Sequence, residues 1–117
     1  MTSLNRSVEP SFVRPLSGWG RFPVEECRLF RPERMAAVSE ILESGGEPTY
    51  VARGVGRSYG DASLNAGAGV ISFERLNRLI AFDPETGVLE CEAGVTLAEI
   101  LDSFLPRGFF LPVTPGT

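Results

Sequence analysis

Near one third of the way along the chain, apolar residues recur three and four positions apart: Met35, Val38, Ile41 and Leu42. That spacing puts them on one side of a helix. Pro32 suits a first turn and Gly45-Gly46 supply a stop, so a helix over 33–45 is predicted as a cover for one sheet face. Beyond it the period changes. TYVA (49–52), GVISF (69–73), RLIAFD (78–83) and VLECEA (88–93) are short runs rich in β-branched and aromatic residues, and each reads as a strand. Asp83-Pro84 opens and Gly87 closes the link between the last two, which is hairpin chemistry. In VLECEA, Leu89, Cys91 and Ala93 alternate with Glu90 and Glu92, which predicts a wet face holding both glutamates and an inward Cys91. Thr96-Leu97-Ala98-Glu99 is a capping-box sequence, with Leu97, Ile100, Leu101 and Phe104 following at helical spacing and Pro106 and Gly108 ending the helix. FFLPV (109–113) predicts a last strand.

Residues 1–23, broken by Pro10, Pro15 and Pro23, show neither period. Residues 1–17 are therefore assigned to an extended arm and 18–117 to the domain, with Trp19, between Gly18 and Gly20, as the anchor that pins the arm down. The predicted order is helix, strand, glycine loop, strand, hairpin, helix, strand. That is an α+β fold, with too many strands and too few crossovers for a doubly wound sheet.

Composition narrows the chemistry. With 43% apolar and 22% charged residues in 117, the chain is ordinary for one soluble domain, in which folding hides roughly two thirds of the surface exposed by the unfolded chain. A net charge of −4 argues against a nucleic-acid or acidic-membrane surface. All 11 basic residues are arginine, so a P-loop lysine and a Schiff-base lysine are both excluded. Histidine is absent as well, which removes Ser-His and Cys-His pairs and with them hydrolytic triad chemistry. Cys27 and Cys91 lack metal-ligand spacing and are read as reduced thiols. No stretch approaches the roughly 20 apolar residues of a membrane span, and no secretory h-region is present, so the expected compartment is the cytoplasm.

What remains is the stretch ARGVGRSYGD at 52–61. It is not a Walker A loop, having no lysine, and not a Rossmann fingerprint, because the third glycine comes one residue late and loop sequence follows it. Glycines at 54 and 56 are spaced so that successive amides can turn inward into a concave anion nest, with Ser58 adding a hydroxyl and Arg53 or Arg57 a charge. A tight turn with solvent-facing arginines has the same spacing. The residues alone leave both open, and they leave Asp61 open between capping the loop and contacting a ligand.

ARGVGRSYGD, together with SGWGR (17–21), SGG (44–46), AGVTLAEIL (93–101) and the final PGT, resembles the N-terminal half of the PCMH-type FAD-binding domain of the vanillyl-alcohol oxidase superfamily. Within it the likeness is to decaprenylphosphoryl-ribose oxidases and related sugar and aldonolactone oxidases. The resemblance implies a small mixed sheet with two flanking helices and a glycine-rich pyrophosphate loop. It implies that Gly54, Val55, Gly56, Arg57 and Ser58 wrap the FAD pyrophosphate, with Arg53, Tyr59 and Gly60 in the same shell. Pro115, Gly116 and Thr117 would begin a second loop beneath the flavin. Many relatives carry at the position of Arg57 a histidine bonded to the flavin; arginine cannot form that bond, so non-covalent FAD is expected.

The implied activity is oxidation of a carbinol of a sugar-like or lactone substrate by hydride transfer to flavin, with no catalytic residue in this span. The implied partners are FAD, the rest of the FAD-binding domain and a substrate domain. The alternatives are a non-catalytic nucleotide- or phosphate-binding module and an inactive truncated frame.

Overall fold

A computed structural model describes residues 9–115. The chain divides into two compact units, Met1–Leu76 and Asn77–Thr117.

The first unit is built on a four-stranded mixed sheet. β1 (Ser11–Ser17) runs antiparallel to β2 (Val24–Phe30), from Ser11 opposite Phe30 to Ser17 opposite Val24. α1 (Met35–Ser44) follows, then β3 (Tyr50–Arg53) and β4 (Gly69–Ser72). β4 lies between β2 and β3 and is parallel to both, which gives the order β1-β2-β4-β3. The chain therefore crosses over β4 through α1 and returns from β3 to β4 through a connection that contains no helix. That connection carries the glycine loop.

Two strands here differ from expectation. Residues 11–17, read as arm, form β1, and the unpredicted run VEECRLF forms β2. The reason is position: β1 is an outer strand whose central residues are exposed on both faces, so it has no alternation to read, and Pro15 is tolerated at an edge.

α1 begins one turn after Pro32 and ends at Gly45, whose φ of 64° is the left-handed stop that glycine adopts without strain. Of its apolar positions Ile41 is buried and Val38 half-buried, whereas Met35 and Leu42 are about half exposed and the unremarked Ala37 is fully buried. Ile41 packs with Phe30 and Ile71 in a cluster flanked by Tyr50 and Phe73. β4 is buried at every position, and Val70 and Leu76 are fully enclosed. Gly69 is required there, because a Cβ at that site would stand 2.5 Å from the Tyr50 ring. Asn65 ties the β3–β4 connection to the sheet, donating to the carbonyls of Thr49 (3.2 Å) and Gly69 (2.9 Å).

The second unit pairs an antiparallel hairpin with a short helix. β5 (Leu79–Asp83) and β6 (Val88–Cys91) are joined by the predicted turn, in which the Gly87 amide donates to the Asp83 carbonyl at 2.7 Å. The Asp83 carboxylate accepts from the Glu85 and Thr86 amides. α2 (Leu97–Phe104) has both halves of its capping box: Glu99 N–H donates to Thr96 Oγ1 and Thr96 N–H to Glu99 Oε1, each at 3.1 Å. A 3-10 turn, Leu105–Arg107, closes on Gly108. Phe82 packs on Phe104 at 4.5 Å and on Phe109 at 4.8 Å between ring centres.

Two expectations fail in this unit. Residues 109–113 do not form a strand; they run irregularly, with Phe109 held by its ring contact and by its amide bond to the Phe104 carbonyl. Glu92 is not on a wet face. It is 8% exposed, its carboxylate accepts from the Arg78 amide at 2.9 Å and from Arg78 Nε at 3.2 Å, and Cys91 is only half-buried. β6 ends at Cys91, so the alternation stops before Glu92, which turns in to close the base of the hairpin. Glu90 is exposed, as expected.

Candidate functional site

β3 ends at Arg53, and from Gly54 to Gly60 the chain forms a bent loop without helix or strand. Among the described residues, none of the seven amides from Gly54 to Gly60 donates a hydrogen bond to a protein acceptor. Six of these residues are exposed and Gly56 is half-buried, so solvent reaches the open donors and no desolvation cost attaches to them. Gly56 has a φ of 75° and Gly60 of 58°, whereas the residues between them have negative φ. A left-handed glycine set among residues of negative φ is compatible with the alternating backbone of an anion nest. A Cβ added at Gly54 would meet nothing within 4 Å, so the chain can be approached closely there.

The loop is held from behind. Arg53 Nη1 donates to Ser63 Oγ at 3.0 Å and Nη2 to the Ser17 carbonyl at 2.9 Å. A Cβ on Gly56 would collide with the same guanidinium, at Nη2 and Cζ. From the β1–β2 connection the Trp19 amide donates to the Ser58 carbonyl at 2.9 Å. Gly18 is buried beneath the loop; a Cβ there would stand 2.5 Å from the Ser58 carbonyl oxygen and 2.7 Å from that of Gly60. The Trp19 ring meets Tyr59 edge-on at 5.7 Å and 77°, although both rings are largely exposed. Trp19 thus serves as an anchor mainly through its backbone.

The residues singled out from the sequence are therefore partly united. Arg53, Gly54, Val55, Gly56, Arg57, Ser58, Tyr59 and Gly60 form one continuous loop in the first unit. Arg57 is exposed and makes no hydrogen bond or ion pair among the described residues, so its charge is available. Asp61 uses its carbonyl to accept from Leu64 N–H at 3.0 Å, and its side chain has no partner among the described residues. Pro115 is exposed in the second unit, and Gly116 and Thr117 lie outside the described residues. Sequence reasoning missed Ser17, Gly18 and Ser63 as supports. The signal for the first two was the match beginning at SGWGR.

Comparison with known proteins decides the family. Residues 28–117 match the family described as FAD binding domain, which is most of the chain and includes the whole loop. The chain belongs to that family. This FAD-binding domain is also 38% identical, over 112 residues and 92% of its length, to decaprenylphosphoryl-beta-D-ribose oxidase of Mycolicibacterium smegmatis (strain ATCC 700084 / mc(2)155). The aligned part is 24% of that relative, so the chain spans about a quarter of the curated protein it matches. The expected fold, a small mixed sheet with two helices, and the expected cofactor, FAD, agree with the family. Among the described residues no helix is long and apolar enough to cross a membrane, and no cluster of acidic or sulfur side chains suits a metal ion.

The chemistry of the loop's donor set suits the diphosphate of FAD. Its open amides supply hydrogen-bond donors, and its exposed Arg57 supplies a local positive charge in a net acidic chain.

Proposed function

We propose that residues 54–60 cradle the diphosphate of FAD and that this chain is the N-terminal part of a flavin-dependent oxidoreductase acting on a carbinol of a sugar-like substrate. The observation that supports it is the unbroken run of open amides from Gly54 to Gly60 around a left-handed Gly56. The likeness to an oxidase of a ribose derivative supports the substrate class. When bound, the flavin supplies a two-electron acceptor for hydride.

In this reading the loop amides bind phosphate oxygens, Ser58 adds a hydroxyl donor, and Arg57 neutralises charge from the solvent side. Tyr59 is fixed by its edge contact with Trp19 and so is packed against the loop's supports. Pro115, Gly116 and Thr117 start the second cofactor loop. Attachment through this segment is non-covalent, because Arg57 stands where relatives carry the linking histidine and no histidine occurs in the chain. The catalytic base belongs to the substrate domain, beyond this span.

The test is titration of isotope-labelled chain with FAD, ADP and riboflavin, following the amide resonances of 54–60. FAD and ADP, which carry a diphosphate, are expected to shift them, and riboflavin, which has none, is expected to leave them in place. Gly56→Arg should abolish the shifts, because any side chain at 56 meets both an unfavourable φ and the Arg53 guanidinium. Equal shifts with riboflavin, or retention of FAD by Gly56→Arg, would falsify the assignment.

A further inference from the structure

We infer that the two arginines of the loop have divided roles, and that Arg53 is a positioning residue that sets the shape of the loop rather than a ligand to the anion. The inference rests on the reading of residues 54–60 as a diphosphate cradle.

Both terminal nitrogens of Arg53 are directed into the protein. One holds the hydroxyl of Ser63, itself 4% exposed, and the other holds the carbonyl of Ser17. One side chain therefore joins the end of β1, the end of β3 and the turn by which the loop leaves. The guanidinium also fills the space where a side chain on Gly56 would project, so it is the floor on which the left-handed residue rests. The fork of a guanidinium reaches two acceptors in different directions at once, which a single ammonium on a flexible stem cannot copy.

Its partners have a second consequence. A carbonyl and a hydroxyl are both neutral, and Arg53 has no carboxylate partner among the described residues. Its charge is consequently fixed under the amides without being cancelled, and raises the potential of the cradle at no cost in flexibility. Arg57 has the opposite character: exposed, unpartnered among the described residues, and free to close on an anion from outside.

The experiment compares Arg53→Lys, Ser63→Ala and Arg57→Gln by amide resonances and FAD affinity of the whole chain. Arg53→Lys keeps the charge and loses the fork. It is expected to displace the Gly56 and Ser58 resonances in the absence of ligand, to leave those of Val70 and Leu76 unchanged, and to weaken FAD at least tenfold. Arg57→Gln is expected to leave the ligand-free loop resonances in place and to weaken FAD in a salt-dependent way. Should Arg53→Lys leave Gly56 and Ser58 where they are, the inference fails, whether FAD affinity is retained or lost; retained loop shape with lost affinity would make Arg53 a ligand. If Arg53→Lys does not fold, Ser63→Ala decides: unchanged Gly56 resonances overturn the brace, and displaced ones support it. A wild-type loop that depends on Arg53 yet ignores both FAD and inorganic pyrophosphate would keep the brace and remove the diphosphate reading on which the binding role rests.

Discussion

Gly18 and Gly20 flank the same tryptophan and are indistinguishable in the sequence, yet the structure separates them sharply. A Cβ at Gly20 meets nothing within 4 Å; one at Gly18 would stand 2.5 and 2.7 Å from the carbonyl oxygens of Ser58 and Gly60. Real Cβ contacts do not come that close, and the obstacles are backbone atoms, which cannot rotate away. Gly18→Ala must therefore push the β1–β2 connection off the loop by over half an ångström. Overpacking of this kind costs about 1–3 kcal/mol. The hydrogen bond from Trp19 N–H to the Ser58 carbonyl shares that seam, and its loss adds about 0.5–1.5 kcal/mol. A destabilisation of about 1.5–4.5 kcal/mol follows, and in a unit of this size each kcal/mol lowers the midpoint by about 4–8 °C. Thermal unfolding of Gly18→Ala by circular dichroism should thus show a midpoint at least about 6 °C lower, with Gly20→Ala near wild type. Equal midpoints for the two variants would refute the packing of the hairpin connection under the loop.

Two further outcomes concern the second unit. Glu92→Ala removes a buried charged acceptor that takes two hydrogen bonds from Arg78, so it should cost about 1.5–3 kcal/mol by urea unfolding, while Glu90→Ala, on an exposed position, stays within about 0.5 kcal/mol of wild type. The Asp83 carboxyl is held below the usual carboxylate range, chiefly by the Glu85 N–H, against a smaller desolvation effect and with help from Thr86. A lowered folded value means that its contribution is complete above about pH 4 and is lost as pH falls through that lowered value. Amide exchange at Gly87 should accordingly show a gap between wild type and Asp83→Asn near neutral pH that closes in acid; a gap that persists or widens there would refute the turn assignment.

Much of the fold was legible because local chemistry agreed with tertiary structure. The capping box at Thr96 and Glu99, the Gly45 stop and the Asp83-to-Gly87 turn are short-range devices, each satisfied by neighbours in sequence. The illegible parts depend on distant partners. β1 is an outer strand with no buried face, so its sequence carries no period, and it exists because β2 offers it a ladder. Glu92 looks like a surface residue until the Arg78 amide, 14 positions away, turns out to need an acceptor. The same division runs through the site. Gly56 and Arg57 stand in the motif, whereas Ser17, Gly18 and Ser63 support it from 10 or more positions off from Arg53, or through a backbone contact; SGWGR signals the first two, and no local pattern announces Ser63.

If residues 54–60 cradle a diphosphate as proposed, that division accounts for how an acidic chain holds a doubly charged group. A net charge of −4 repels an anion at long range, so attraction must be local and must survive competition from solvent. Seven amides contribute partial charges that need no reorganisation, provided that the loop keeps its shape before the ligand arrives. Shape retention falls to Arg53, anchored on two neutral acceptors, and to Gly18, which lets the β1–β2 connection lie against the Ser58 and Gly60 carbonyls. In the proposed cradle, holding the Ser58 carbonyl on the Trp19 amide matters as much as presenting the loop amides, because an inward carbonyl would oppose the phosphate. β1, which the sequence reads as arm, thus supports the proposed site: its ladder with β2 fixes where Ser17 and Trp19 lie, and through their bonds to Arg53 and Ser58 how the loop backbone is held.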